Sequence, residues 1–163
     1  LQNVVAQFRI VNGYGLFQVM TTTRPEIVVE GSMDGQSWSA YEFRWKPGDP
    51  MRRPGFVTPH MPRLDWQMWF AALGDVRQNR WFLVLCWRLL EGSPEVRRAL
   101  AVDPFGDDPP KYIRANVYVY NFTTADERRT SHAWWKRALR GPYVRTLMLQ
   151  DGDLAPAPEE PAQ

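Results

Sequence analysis

The sequence predicts an α+β fold: an antiparallel β-sandwich, jelly-roll-like, with several helices packed against it. Three observations predict it. β-branched and aromatic runs broken by tight-turn clusters open the chain, helical patterns occupy the middle, and a period-two segment returns after them. Strands, then helices, then a returning strand is the order of an α+β domain rather than of a doubly wound parallel sheet.

The first strands are read at residues 4–11 and 16–20, separated by NGYG at 12–15. EIVVE at 26–30 resumes the β pattern and runs into GSMDG at 31–35, where Asp34-Gly35 marks a turn because glycine takes positive φ without steric cost. YEFRWK at 41–46 alternates strictly. It predicts a strand with Tyr41, Phe43 and Trp45 toward the core and Glu42, Arg44 and Lys46 toward solvent. Between residues 46 and 63 stand Pro47, Pro50, Pro54, Pro59 and Pro62. Repeated proline excludes helix and central strand, so this stretch reads as an ordered excursion or stiff loop. Loops of that length are often functional or tied down by packing.

A helix is expected over residues 64–73, with Asp65 as candidate cap, a face of Trp66, Trp69, Phe70 and Leu73, and Gly74 as its end. A second is expected over 80–91, capped by Asn79 and apolar nearly all round. A third opens at Ser93-Pro94 and runs to about residue 102. Residues 111–122 return to period two, with Ile113, Ala115, Val117 and Val119 on one face. A fourth helix is expected over 126–140, stopped by Gly141-Pro142. Residues 1–150 read as one domain and 151–163 as a disordered acidic, proline-rich tail.

Composition bounds the function. The chain has 163 residues, 44% hydrophobic and 23% charged, enough to bury a core without disulfides or metals. The net charge of +2, from 20 basic and 18 acidic residues, gives no argument for nucleic acid or for an anionic membrane surface. One cysteine, Cys86, excludes an intrachain disulfide and a thiolate cluster. The most apolar run, WFLVLCWRLL at 81–90, contains Arg88 and is about half of the ~20 residues a spanning helix needs. The chain is therefore expected to be soluble. It begins with Leu1, which reads as a piece of something longer.

The residues offer little chemistry. His60, His132 and Cys86 do not fall at metal-ligand spacing, and Asp107-Asp108 lacks the pattern of a calcium loop. There is no nucleophile elbow, Ser131 and His132 are sequence neighbours, and Cys86 lies in an apolar run where a thiol is filler. Gly13 and Gly15 lack the spacing of a phosphate loop. Carboxylates such as Asp65 and Glu42 could still converge in the fold. NFT at 121–123 fits the N-glycosylation acceptor pattern. Six basic residues between Arg128 and Arg145 surround Trp134 and Trp135. They read either as a basic-aromatic contact surface for an acidic partner or, favoured by the helix dipole, as a solvated helix rich in cations toward its C-terminus. EGSMDGQSWSAY at 30–41 resembles the S-x-D-G-x-x-W turn of discoidin-like jelly rolls, whose loops often bind sugars or lipid headgroups.

A longer set of words resembles the lipase maturation factor family: FRIVNGYGLF at 8–17, MTTTRPEIVVEGS at 20–32, DG at 34–35, YEF at 41–43, KPGDP at 46–50 and RRP at 52–54. The resemblance continues in order through PRLDWQMWFAAL at 62–73, LLEGSPEV at 89–96, PKYIR at 110–114 and WW at 134–135. Family members are polytopic membrane proteins with a large C-terminal domain, and in vertebrates they assist folding and dimer assembly of secreted lipases in the endoplasmic reticulum. The resemblance implies that this chain is that C-terminal domain, without catalytic residues, metal or cofactor. It implies a lipase-like client and attachment to the membrane through segments outside this chain. The domain would face the endoplasmic reticulum lumen in a eukaryote or the cell envelope in a bacterium.

The expected function is therefore non-catalytic client handling, by a chaperone-like surface larger and more apolar than a monomer normally shows. Candidate contacts are Arg52, Arg53 and His60 in the proline-rich loop, Trp134 and Trp135, and any tryptophan left exposed. The 63–70 segment reads as core ahead of a client contact, with Arg63 and Asp65 pairing to hold the loop against it. A carbohydrate- or lipid-headgroup-binding β-sandwich is the alternative, and an enzyme built from convergent carboxylates ranks last.

Overall fold

The computed structural model describes residues 23–57 and 60–158. The strands expected at 4–11 and 16–20 lie outside these residues, as does the end of the tail. The elements are β1 (Arg24–Ser32), β2 (Ser39–Ala40), β3 (Glu42–Phe43), α1 (Arg63–Ala71), α2 (Trp81–Leu90), α3 (Pro94–Ala99), β4 (Leu100–Val102), β5 (Tyr112–Phe122), α4 (Ala125–Ser131), β6 (Trp135–Gln150) and β7 (Asp153–Pro156).

Among the described residues the fold is α+β, but no sandwich or jelly roll forms. One antiparallel sheet has the order β2-β1-β5-β6-β7, and β3 with β4 makes a separate two-stranded ladder. The layer expected to be a second sheet is helical. Ile27, Val29, Ile113 and Ala115 face one way and are buried against α1 and α2, where Met68, Ala71, Phe82, Leu85, Cys86 and Leu89 complete the core. Gly31 lies on this face because Phe105 occupies the space a side chain would fill: a Cβ there would stand 2.6 Å from its ring.

The fourth helix is the largest correction. Thr124 and Glu127 form a capping box and start α4 as expected, but His132 enters the left-handed region at φ 58° and the chain leaves the helix. Trp135 to Gln150 then forms β6, 16 residues long, where a helix ended by Gly141-Pro142 was expected. Ala, Arg and Lys are good helix formers, but by only tenths of a kcal/mol per residue, and pairing along β5 overrides them. Register against β5 shifts between Ile113 and Ala115, between Ala115 and Asn116, and between Val117 and Tyr118. Such bulges bend a strand and increase its twist. Asp153–Pro156 of the expected tail pairs with β6 as β7.

Two expected caps do not form. Asp65 sits in the first turn of α1, whose N-cap is Pro62, and Asn79 makes no cap to α2. Instead Asn79 accepts from the Trp81 indole at 3.3 Å. The buried face of α1 is Asp65, Met68 and Ala71, while Trp66, Trp69 and Phe70 are half-buried and pack on one another at centroid distances of 5.1–5.5 Å.

The 41–46 alternation fails at its end. Tyr41 and Phe43 are buried, but Trp45 is 43% exposed and Lys46 is buried. β3 stops at Phe43, and the Asp65 carboxylate then accepts from the backbone N–H groups of both Trp45 (2.8 Å) and Lys46 (3.2 Å). Binding two successive amides to one oxygen turns the chain and exchanges the two faces.

Asp65→Ala leaves two amide groups without their acceptor at a buried turn. It is expected to lower the unfolding free energy by roughly 2–4 kcal/mol, with Asp65→Asn costing less, as read by chemical denaturation. In α4 the Glu127 carboxyl is held at about 2, well below the usual carboxylate range, by the Lys136 ammonium and the Thr124 N–H. Its folded value is depressed, so its stabilisation is present above the usual range and is lost as pH falls toward that value. Amide exchange across Ala125–Ser131 during an acid titration should report a cap that survives ordinary carboxylate protonation and frays only near pH 2.

Candidate functional site

The proline-rich excursion is fastened at its base by a buried polar cluster. Beyond the two-residue β2, the edge of β1 would leave backbone carbonyls without strand partners. The Tyr41 N–H caps the Val29 carbonyl (2.9 Å), and the Lys46 ammonium caps that of Ile27 (2.9 Å). The same ammonium donates to the Pro47 carbonyl (3.0 Å) and lies 3.4 Å from the buried Glu26 carboxylate. That Glu26 oxygen has charge compensation without an aligned hydrogen bond, and the other oxygen accepts from Arg24 at 2.8 Å. Burial presses the Lys46 ammonium below its ordinary value, and Glu26 opposes the shift.

Further ties fix the loop's near limb. The Tyr120 hydroxyl donates to the Gly48 carbonyl (2.6 Å), and Arg137 in turn donates to that hydroxyl (2.9 Å). The Pro50 carbonyl accepts from the N–H groups of Trp134 and Trp135. The Trp135 indole donates to the Arg52 carbonyl (3.2 Å), and Arg52 donates to the Lys46 carbonyl and pairs with Glu42 at 3.5 Å. Gly48 lies close to the Glu42 carboxylate: a Cβ there would stand 2.1 Å from it, so a larger residue would make the Glu42 side chain move.

On this fixed base the segment displays apolar side chains. Phe56 is 87% exposed, Met51 52% and Trp45 43%, with Gly55 against the Trp45 ring. Beside them the half-buried Trp134 has the Arg128 guanidinium over its ring at 4.1 Å and that of Arg53 at 5.2 Å.

The residues expected to touch a partner divide accordingly. Arg52 and Trp135 are anchors, the latter buried and stacked on Phe122 at 4.2 Å. Arg53 and Trp134 come together at the surface, and His60 is exposed on the far limb. Asp65 holds the loop as expected, but through backbone amides rather than through Arg63, which is exposed. Met51 and Phe56 escaped the sequence reading. Their signal is an apolar side chain inside a proline-broken stretch that no helix or strand can carry into a core. Trp45 was misassigned because the turn at Asp65 breaks its alternation.

Cys86 is buried, and burial pushes its thiol up to about 12. The Ser131 hydroxyl donates to the Glu127 carbonyl. Among the described residues no three His, Cys, Asp or Glu side chains gather in a metal-binding group, and no helix is long and apolar enough to cross a membrane. In the NFT sequence Asn121 is exposed, and the Thr123 hydroxyl donates to the Ala133 carbonyl at 2.7 Å.

Comparison with known proteins gives a concordant result. The family description "Lipase maturation factor C-terminal domain" matches residues 10–145. Lipase maturation factor 2 of Gallus gallus is 45% identical over 159 residues, 93% of this chain and 22% of that protein. Lipase maturation factor 2 of Mus musculus is 45% identical over 161 residues, 91% of this chain and 23% of that protein. Lipase maturation factor 1 of Mus musculus is 42% identical over 151 residues, 88% of this chain and 26% of that protein. The chain thus spans about a quarter of the length of these relatives. No solved structure matches it significantly. The words KPGDP and PRLDWQMWFAAL, whose likeness to the family was noted in the sequence, meet in the fold at the Asp65 turn. The chain belongs to the lipase maturation factor family, as its C-terminal domain.

Proposed function

We propose that this domain is the non-catalytic, client-contacting part of a membrane-anchored maturation factor that assists folding or assembly of a secreted lipase or a related protein. The observation that carries the reading is the display of Phe56, Met51 and Trp45 on a loop whose base is fixed by buried hydrogen bonds and ion pairs. An exposed Phe is costly to maintain in water, and a fixed base means little ordering entropy is lost when it is covered. Arg53 and Arg128 around Trp134 add a cationic, aromatic flank for a partner's carboxylates or ring faces. The client chemistry is therefore an incompletely packed chain with exposed apolar and acidic groups. The membrane region would lie in parts of the parent outside this chain. The domain would work in the endoplasmic reticulum lumen of a eukaryote or in the cell envelope of a bacterium.

The test is refolding of a denatured secreted lipase in the presence of the purified chain, read as recovered lipase activity and light scattering. The wild-type sequence should raise recovery, and Phe56→Ser with Met51→Ser should weaken the effect about a hundredfold at unchanged unfolding midpoint, since burial of each such side chain is worth ~1.5 kcal/mol. Equal recovery with the wild type and the double variant would remove the loop from the function.

A further inference from the structure

The face of the sheet opposite the helices carries a second feature, remote in role from the loop. A groove of about 670 Å³ runs between the Asp34-Gly35 turn, β5, the bulged stretch of β6 and the residues after β7. Its working side chains are Trp38, Tyr112, Arg114, Asn116 and Thr146, with Pro142 and Pro156 as apolar wall. We infer that this groove is a binding site for a neutral, polyhydroxylated sugar ring, either of a free oligosaccharide or of a glycolipid headgroup.

The charge state of the groove argues for a neutral ligand. Arg114 lies in the groove but is already paired with Glu30 at 2.8 Å and laid over the Trp38 ring at 4.0 Å. One oxygen of the Asp34 carboxylate accepts from the Ser32 hydroxyl and from the N–H groups of Gln36 and Ser37 at 2.7–2.9 Å. Those donors hold its carboxyl at about 2, so it stays an acceptor at any working pH. With Arg145, which also lines the groove, the charged groups are two guanidiniums (Arg114, Arg145) and two carboxylates (Glu30, Asp34), so the site carries no net charge that would favour a phosphate or an ammonium ion.

The remaining chemistry fits a pyranose. Such a ring has C–H groups on its faces and hydroxyls at its rim, so it needs flat apolar surface alternating with fixed donors and acceptors. The groove supplies both. Tyr112 and the part of Trp38 that Arg114 does not cover provide ring surface, and the prolines provide aliphatic surface. Asn116 donates its amide to Glu30 at 3.2 Å, which fixes the carboxamide and leaves its carbonyl oxygen as an acceptor. The hydroxyls of Thr146 and Tyr112 can each donate and accept. The single carboxylate of Glu30 thus sets the positions of both Arg114 and Asn116, which lie on alternate residues of β5 and so on one face. Polar groups fixed before a ligand arrives, set among apolar walls, are the usual make-up of a small-molecule site.

The experiment titrates the purified chain with a panel of neutral oligosaccharides built from glucose, mannose, galactose and N-acetylglucosamine. In parallel, neutral phosphatidylcholine vesicles with and without glycolipids carrying the same sugars are tested. Tryptophan fluorescence and ligand-observed NMR are the readouts. Saturable binding in either arm is expected, weakened at least tenfold by Trp38→Ala and by Asn116→Ala with Thr146→Val. The second variant leaves the apolar surface in place, so an unchanged unfolding midpoint there separates lost recognition from lost fold. Phe56→Ser should bind sugar as the wild type does, which keeps this result independent of client handling. No saturable response to any member of the panel, or a response only to a proline-rich peptide control, would overturn the assignment.

Discussion

The Lys46 ammonium occupies a place that a strand would otherwise have to fill. β2 is two residues long, so the edge of β1 would run on with unmatched carbonyls and, one residue along, a buried carboxylate at Glu26. A short β2 would normally expose that edge to further pairing. Here one side chain caps the Ile27 carbonyl, compensates Glu26 and carries the chain into the proline-rich segment. Removing one partner of such a buried pair typically costs 3–5 kcal/mol, because the other charge is left uncompensated. Asp65 acts from the other side, binding the amides of Trp45 and Lys46 so that the ammonium is presented inward. Sheet edge, helix α1 and loop therefore depend on the same few polar atoms.

That arrangement explains which parts of the fold were legible in the sequence. Period-two alternation in β5, proline at the start of α3 and the apolar run of α2 are local signals, and each produced its element within one residue at the start. The ends of α3 and α4 were overrun. For α4 the stop is a left-handed His132, a conformation that histidine does not advertise as glycine does. For β6 the decisive partner is β5, and ten aligned residue pairs outweigh helix propensities worth tenths of a kcal/mol each. The sandwich was inferred from early β-rich segments without knowledge of what would cover the sheet, and α1 and α2 take that place.

The candidate surface was legible only in outline. Proline spacing marked the excursion as ordered or stiff, and its two arginines and the Trp134-Trp135 pair were singled out. Arg52 and Arg53 are sequence neighbours, yet one is spent on Glu42 and the Lys46 carbonyl while the other reaches Trp134. Trp134 and Trp135 split in the same way: Trp135 opens β6 and is buried, while Trp134 lies in the bend before it with Arg53 and Arg128 over its ring. Nothing in residue type separates anchor from display in either pair. The separation comes from long-range partners, which composition and periodicity do not encode.

The physical logic of the loop follows from the contrast between its two ends. A flexible apolar loop would collapse onto its own domain or lose much of its binding energy to ordering, because each immobilised side chain costs about 0.5–1.5 kcal/mol. A loop fixed by hydrogen bonds at Lys46, Gly48, Pro50 and Arg52 loses less on binding, and Phe56 stands exposed beyond those ties. Buried polar atoms at the base therefore do more than satisfy one another. They hold apolar side chains in water, where a partner with unburied surface of its own has the most to gain by covering them.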